Sequence, residues 1–305
     1  MAKLFSMTMP GKTGEASSSV KLSASDRVAL VAGGGQLPQQ VAESLAQSGH
    51  MPFVIEIAGE DEAEGRFSAY PHVTLPLERF PDFIALLKKN SATHLVMAGS
   101  VARRPNPWRM RWGFRLFRLL ARFVVPLARG DNQLLKAVVD LVEDNGIKVV
   151  GAHEIVPDLL AGSGSMTATV PQPSDRKDIE AALLAARTIG ELDIGQAAVA
   201  VGGRAIALEG IEGTDGLLER VKALRGHGRI AGKKRGVLVK CAKPGQELRA
   251  DLPTIGLATV EAAHEAGLAG IGIEAGRSFI LDHDTTIARA DALGLFILGL
   301  QRDAG

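Results

Sequence analysis

Cysteine is almost absent from this chain. Cys241 stands alone among 305 residues, which excludes an internal disulfide framework and fits a reducing compartment. Aromatic residues make up 4% of the sequence and hydrophobic residues 46%, so the core has to be aliphatic, as in α/β proteins. Neither sign of charge is in excess: Lys+Arg number 35 against 34 Asp+Glu, a formal net charge of +1. That balance gives no argument for nucleic acid. No apolar run reaches the roughly 18–20 residues that span a bilayer. The opening MAKLFSMTMPGKTGEASSSVKLSASD lacks a long apolar segment and an evident cleavage site, so it is a poor secretion signal. It is small, polar and Ser-rich, which predicts a disordered extension over residues 1–26. His94, His153, His264 and His283 have no Cys or His at zinc-ligand spacing, and no GxSxG nucleophile motif is present. A cytoplasmic protein, soluble or peripheral to a membrane, is the expectation.

What the chain does contain is an alternation of strands and helices. RVALVAGGGQLPQQVAESLAQSG reads as a strand (Val28–Ala32), a glycine turn, and a helix from Leu37–Pro38 to Gly49, with Pro in the first turn and Gly at the C-cap. PFVIEIAG, a polar loop, FPDFIALLKKNSATHLVMAGSV and NQLLKAVVDLVEDNGIKVVGAHEIV continue the pattern, predicting a Rossmann-like parallel sheet over residues 27–160. AGSGSMTATVPQPSD turns to Gly, Ser, Thr and Pro, and residues 161–175 are expected to be a linker. A second, mixed α/β domain is expected over 176–305. It holds helix DIEAALLAARTIGEL, a hairpin at Gly202-Gly203, a helix after Thr214, strand GVLVKCA, helix TVEAAHEAG, strands AGIGIEA and SFILDH, and helix TIARADALG.

Several stretches could carry chemistry. Gly33-Gly34-Gly35 sit between strand and helix, where backbone can approach phosphate, but GGGQLP is neither GxGxxG nor GxxxxGKS/T. A tight turn needing positive φ explains the same glycines. Gly99, Ser100 and Arg103 follow another strand of that sheet, the end at which open α/β sheets bind ligands; Arg103 could clamp phosphate or simply be solvated. From Arg103 to Arg129 arginines alternate with Trp108, Trp112, Phe114, Phe117 and Phe123 without an acidic residue. That composition suits an anionic membrane surface, or an ordinary core-facing helix. EGIEGTDGLLER places Glu209, Glu212 and Asp215 beside glycines after an apolar strand. Thr214 or Asp215 would cap the next helix, which accounts for one residue of the group. KCAKPGQELRADLPTIG gathers Lys240, Lys243, Gln246, Glu247, Arg249 and Asp251 at a strand end. Such mixed charge can offset a diphosphate while a carboxylate holds Mg²⁺ or orients water.

In order, LVAGGGQLP, GSVARRP, GDNQLL, GAHEIVPDLL, LDIGQAAV, EGTDGLLERV, KPGQELRADLPTIG, AGLAGIGIEAGRSFIL and ADALGLFILG resemble the LpxI-type UDP-2,3-diacylglucosamine diphosphatases, from Val28 to Leu300. The resemblance implies Mg²⁺-dependent hydrolysis of UDP-2,3-diacylglucosamine to 2,3-diacylglucosamine 1-phosphate (lipid X) and UMP in lipid A synthesis. It further implies attack at the sugar-side phosphorus and a lipid-substrate cleft between domains. On this reading Asp251 is the principal catalytic carboxylate, with Asp215 and Glu212 beside the diphosphate and Asp251 and Asp215 holding the metal. Gly33, Gly34, Gly35, Gly99, Ser100, Arg103, Thr214, Lys243, Gln246 and Arg249 would contact substrate. Ser100 stands where the family more usually has Asn, and Arg103-Arg104 is doubled. The expected partners are the UDP-diacylglucosamine lipid and the inner face of the inner membrane, with no nucleic acid; a homodimer stays open. A non-catalytic nucleotide-sugar or lipid-binding protein is the alternative function.

Overall fold

A computed structural model of the chain describes residues 20–60, 65–101, 131–228, 230 and 235–301. Two compact units emerge: Ser19–Leu159 with Lys243–Leu252, and Leu160–Ala242 with Pro253–Gly305. The sequence kept Lys243–Leu252 inside 176–305, whereas in the structure this segment belongs to the first unit. It is rich in Pro, Gly and charge, with no apolar face of its own, so nothing in its composition marks which core it joins. Residues 1–19 of the expected extension and the whole arginine-rich stretch 103–129 lie outside the described residues. Residues 20–26 include a turn in which the Ser23 N–H donates to Asp26 Oδ2 at 2.7 Å.

In the first unit the elements run β1 (Val28–Ala32), α1 (Leu37–Gln47), β2 (Phe53–Ile57), β3 (His72–Leu75), α2 (Phe83–Lys89), β4 (His94–Ala98), α3 (Asp131–Glu143), β5 (Lys148–Val150) and α4 (Ala152–Ile155). The sheet is wholly parallel in the order β3-β2-β1-β4-β5. β1 reads as an unbroken apolar run because it is central and covered on both faces. Ala29, Ile55, Leu95 and Val149 from the sheet pack with Phe83, Leu87, Val139 and Val142 from the helices. The order reverses direction between β1 and β4, the switch point at which such sheets open a crevice beyond their carboxyl ends. β3, at the edge, was expected as polar loop. Its alternating exposure and single buried residue, Leu75, give too short a signal to separate from one.

The second unit runs β6 (Gly164–Ser165), α5 (Asp175–Glu191), β7 (Ala197–Ala200), β8 (Ala205–Leu208), α6 (Gly213–Leu224), β9 (Val237–Lys240), β10 (Thr254–Ile255), α7 (Leu257–Glu265), β11 (Gly270–Glu274), β12 (Phe279–Ile280), α8 (His283–Ala292) and β13 (Phe296–Leu300). Its main sheet has the order β6-β13-β11-β9-β7-β8. β9, β11 and β13 are parallel while β6, β7 and β8 run antiparallel to their neighbours, a mixed sheet as expected. The expected hairpin forms at Gly202 and Gly203, with φ of +65° and +76°. β13 was missed: FILGL directly follows a helix pattern and looks like its continuation. SFILDH was expected as one strand, but only Phe279–Ile280 pairs, with β10. The supposed linker 161–175 contains β6, and its Ala161 lies in the core.

Candidate active site

In the first unit the loops after β1 and β4 are tied together. Gly33 N–H donates to Ala98 O at 2.9 Å, Gly34 N–H to Ser100 O at 2.8 Å, and Ser100 N–H returns to Gly34 O at 3.0 Å. A Cβ on Gly33 would collide with the Ser100 carbonyl, and Gly99 has φ +85° with the Gly34 carbonyl against it. The glycines are therefore demanded by this loop-to-loop approach. Two of the three amides of the turn are also spent on it. Arg66 adds a cation to the turn: its guanidinium donates to the carbonyls of Gly35 and, at 3.5 Å, Gly33, and lies 5.1 Å over the Phe67 ring. Arg66 was missed because it follows a polar loop with no motif around it. Arg103 lies outside the described residues.

The Lys243–Leu252 segment of the same unit is organised by its own polar groups. Gln246, 8% exposed, accepts the Lys243 N–H on Oε1 at 2.8 Å and donates from Nε2 to Asp251 Oδ2 at 2.7 Å. The buried amide thus aims an exposed carboxylate. Arg249 forks onto Glu247 (Nε to Oε1, 2.8 Å; Nη2 to Oε2, 2.9 Å) and reaches Glu143 Oε1 on α3 at 2.7 Å. Hydrogen bonding to Arg249 holds the Glu247 carboxyl below its ordinary range, and the same pairing raises the guanidinium. Two carboxylates already engage Arg249, which makes it a brace for the segment. Asn132 on α3 fastens the chain from outside: Nδ2 donates to Gly245 O at 3.0 Å and Oδ1 accepts the Glu247 N–H at 2.9 Å.

In the second unit the carboxyl end of the sheet collects buried polar groups. Glu209, 5% exposed, follows β8 and accepts the Thr214 hydroxyl on Oε1 at 2.6 Å and the Gln196 N–H on Oε2 at 2.7 Å. Glu274, 4% exposed at the end of β11, accepts the Ala242 N–H at 3.1 Å. Lys240 at the end of β9 donates to Thr254 O at 3.0 Å. These two bonds grip the chain on either side of the Lys243–Leu252 excursion. Glu212 pairs with Arg220, and Asp215 is exposed in the first turn of α6. Neither Thr214 nor Asp215 caps that helix, which starts at Gly213 with Glu212 before it and no side-chain cap bond. Thr214 turns to the buried carboxylate instead.

Asp215 and Asp251, the two carboxylates expected at the metal, belong to different units. Among the described residues no three His, Cys, Asp or Glu side chains gather as a metal centre. Mg²⁺ needs only one or two carboxylates, with water and substrate phosphate supplying the rest, so an exposed Asp in either unit has the right donor chemistry. Glu274 and Lys240 carried a signal the sequence offered: each is a charged residue closing an apolar strand.

These features define a two-unit α/β protein: a parallel doubly wound sheet with a glycine-lined switch point, and a mixed sheet with a carboxylate-rich edge. The LpxI N-terminal domain matches residues 27–159 and the LpxI C-terminal domain residues 162–298. The chain belongs to the LpxI family. It is 38% identical over 278 residues to the UDP-2,3-diacylglucosamine pyrophosphatase LpxI of Caulobacter vibrioides, covering 90% of this chain and 97% of that one. Among solved structures it is similar to a UDP-glucose-4-epimerase from Stenotrophomonas maltophila, at 15% identity and a TM-score of 0.25. That match covers 49% of this chain and 43% of the other; the fold description rests on strand order and not on this likeness.

Proposed function

We propose that this protein hydrolyses UDP-2,3-diacylglucosamine to 2,3-diacylglucosamine 1-phosphate and UMP, a Mg²⁺-dependent step of lipid A synthesis. The observation that carries the reading is 38% identity over 90% of the chain to a protein named UDP-2,3-diacylglucosamine pyrophosphatase, with Asp251 oriented by a buried amide. One water adds across the phosphoric anhydride, and the P–O–P bridge breaks. Asp251, aimed by Gln246, orients or deprotonates that water. Asp251 or Asp215 would hold Mg²⁺, which would supply charge compensation for the phosphate oxygens. Lys243 contributes a further cation, while Arg249 keeps the segment in shape. The acyl chains hold the substrate in a bilayer, so the enzyme works at the cytoplasmic face of that membrane.

Purified protein should release UMP from UDP-2,3-diacylglucosamine with Mg²⁺ and stop on adding EDTA. In ¹⁸O-water the label should enter the sugar phosphate, as attack at the sugar-side phosphorus requires. Bound substrate persisting unhydrolysed in Mg²⁺ would make the protein a binder instead.

A further inference from the structure

The loop between β11 and β12 sets a cation at the carboxyl end of the second unit's parallel strands. β11 lies between β9 and β13. The chain leaves it at Glu274 and re-forms as β12 at Phe279. The connection AGRS is pinned by backbone bonds: Arg277 N–H donates to Glu274 O at 3.3 Å, Gly276 N–H to Ala161 O at 2.9 Å, and Ala161 N–H to Ser278 O at 2.9 Å. Arg277 therefore projects from a fixed backbone.

Its half-buried side chain has neither a hydrogen bond nor an ion pair among the described residues. The carboxylate three positions earlier, Glu274, is turned instead to the Ala242 N–H. Arg277 Nε is sealed from water without an acceptor, whereas its two Nη nitrogens are not enclosed in this way. Ser278 Oγ, the next side chain, is also buried and unpartnered; it is too enclosed to meet a ligand, so the guanidinium is the group on offer. A permanent charge with one nitrogen stripped of water is poorly solvated, and an anion against the Nη pair offsets that deficit. Two N–H groups in one plane match two oxygens of one phosphate. Open α/β sheets receive ligands at this end of their parallel strands.

We propose that Arg277 binds a phosphate group of the substrate through its Nη nitrogens. The proposal rests on the hydrolase reading and adds to it a cation from the second unit that acts on the diphosphate directly. The competing role for such a side chain is an apolar stem that packs while its head is merely solvated. Arg277→Met keeps the stem and removes the head, which separates the two.

The test is calorimetric titration of UMP and of glucosamine 1-phosphate into wild type, Arg277→Met and Arg277→Lys, with Mg²⁺ present. Arg277→Met should weaken at least one of the two ligands by about 10–100-fold, the range of a hydrogen bond to a charged group. Which ligand weakens identifies the phosphate that Arg277 holds. Arg277→Lys, which keeps the charge but not the fork, should lose about 3–10-fold. Added salt should narrow the gap between Arg277→Met and wild type. Wild-type affinity for both ligands in Arg277→Met, or no binding of either by the wild type, would overturn the proposal. Should Arg277→Met not fold, as judged by circular dichroism, Arg277→Lys decides alone, and full affinity there would overturn it. The expected losses in a protein that releases no UMP would refute the hydrolase reading and leave the phosphate contact standing. UMP release by a wild type whose ligand affinities match those of Arg277→Met would refute the contact alone.

Discussion

Asp251 and Arg249 lie two residues apart, and their neighbours give them opposite uses. The carboxylate is exposed and accepts the Gln246 amide; the guanidinium is locked between two carboxylates. Asp251→Ala should lower kcat by about 10²–10⁴-fold in a protein that still folds, with the thermal unfolding midpoint lowered only by the loss of the Gln246 amide's acceptor, as steady-state assays and calorimetry will read. Glu247 gives a stability prediction. Its folded-state pKa is depressed below 4.5, chiefly through its hydrogen bond to Arg249. The ion pair accordingly stabilises fully above that ordinary value, and the contribution disappears as pH falls through the depressed one. Glu247→Gln should unfold more readily than wild type at pH 7 and show a shallower loss of stability on acidification, measured by urea midpoints across pH. Charged types at this spacing were legible in the sequence. Which of them pair internally was not, because Lys, Arg, Glu and Asp interleave closely enough for several pairings.

The element that matters most is the Lys243–Leu252 segment, and its support comes from far along the chain. Asn132 stands 115 residues from Glu247, so no local pattern joins them. Asn132→Ala removes two bonds worth about 0.5–1.5 kcal/mol each. Hydrogen exchange should accelerate at Glu247, whose N–H loses its acceptor, while β1 amides keep their protection; unaltered exchange at Glu247 would deny Asn132 this role. Helices and central strands were legible because their apolar periodicity is long and their punctuation is Pro and Gly. β3, β10 and β12 were not, since two to four residues carry no period. The capping role expected of Thr214 failed for a tertiary reason: a buried carboxylate after β8 is a stronger hydrogen-bond partner than the orphan amides of a solvated helix end.

For the whole molecule, the net charge of +1 conceals an uneven distribution, with arginines crowded between Arg103 and Arg129. No helix among the described residues is long and apolar enough to cross a membrane. On the proposed function the substrate is anchored in lipid, and each basic residue near an anionic surface would add about 1 kcal/mol to peripheral binding. Changing Arg111, Arg115, Arg118 and Arg122 to Gln should cut sedimentation with anionic liposomes and remove its salt sensitivity, while turnover of detergent-dispersed substrate stays intact. Equal sedimentation of the two proteins would return the stretch to ordinary packing.

The sequence by itself determined the α/β class, the two sheets, the family and the short list of chemically competent residues, because periodicity, glycine punctuation and ordered motifs are all local along the chain. Tertiary structure alone decided that Lys243–Leu252 leaves the unit around it in sequence, that Gln246 serves Asp251, that Arg249 is a brace, and that Glu209 claims the proton of Thr214. Each of these depends on which polar group is buried beside which, and a buried polar group must find its partner wherever the fold has placed one.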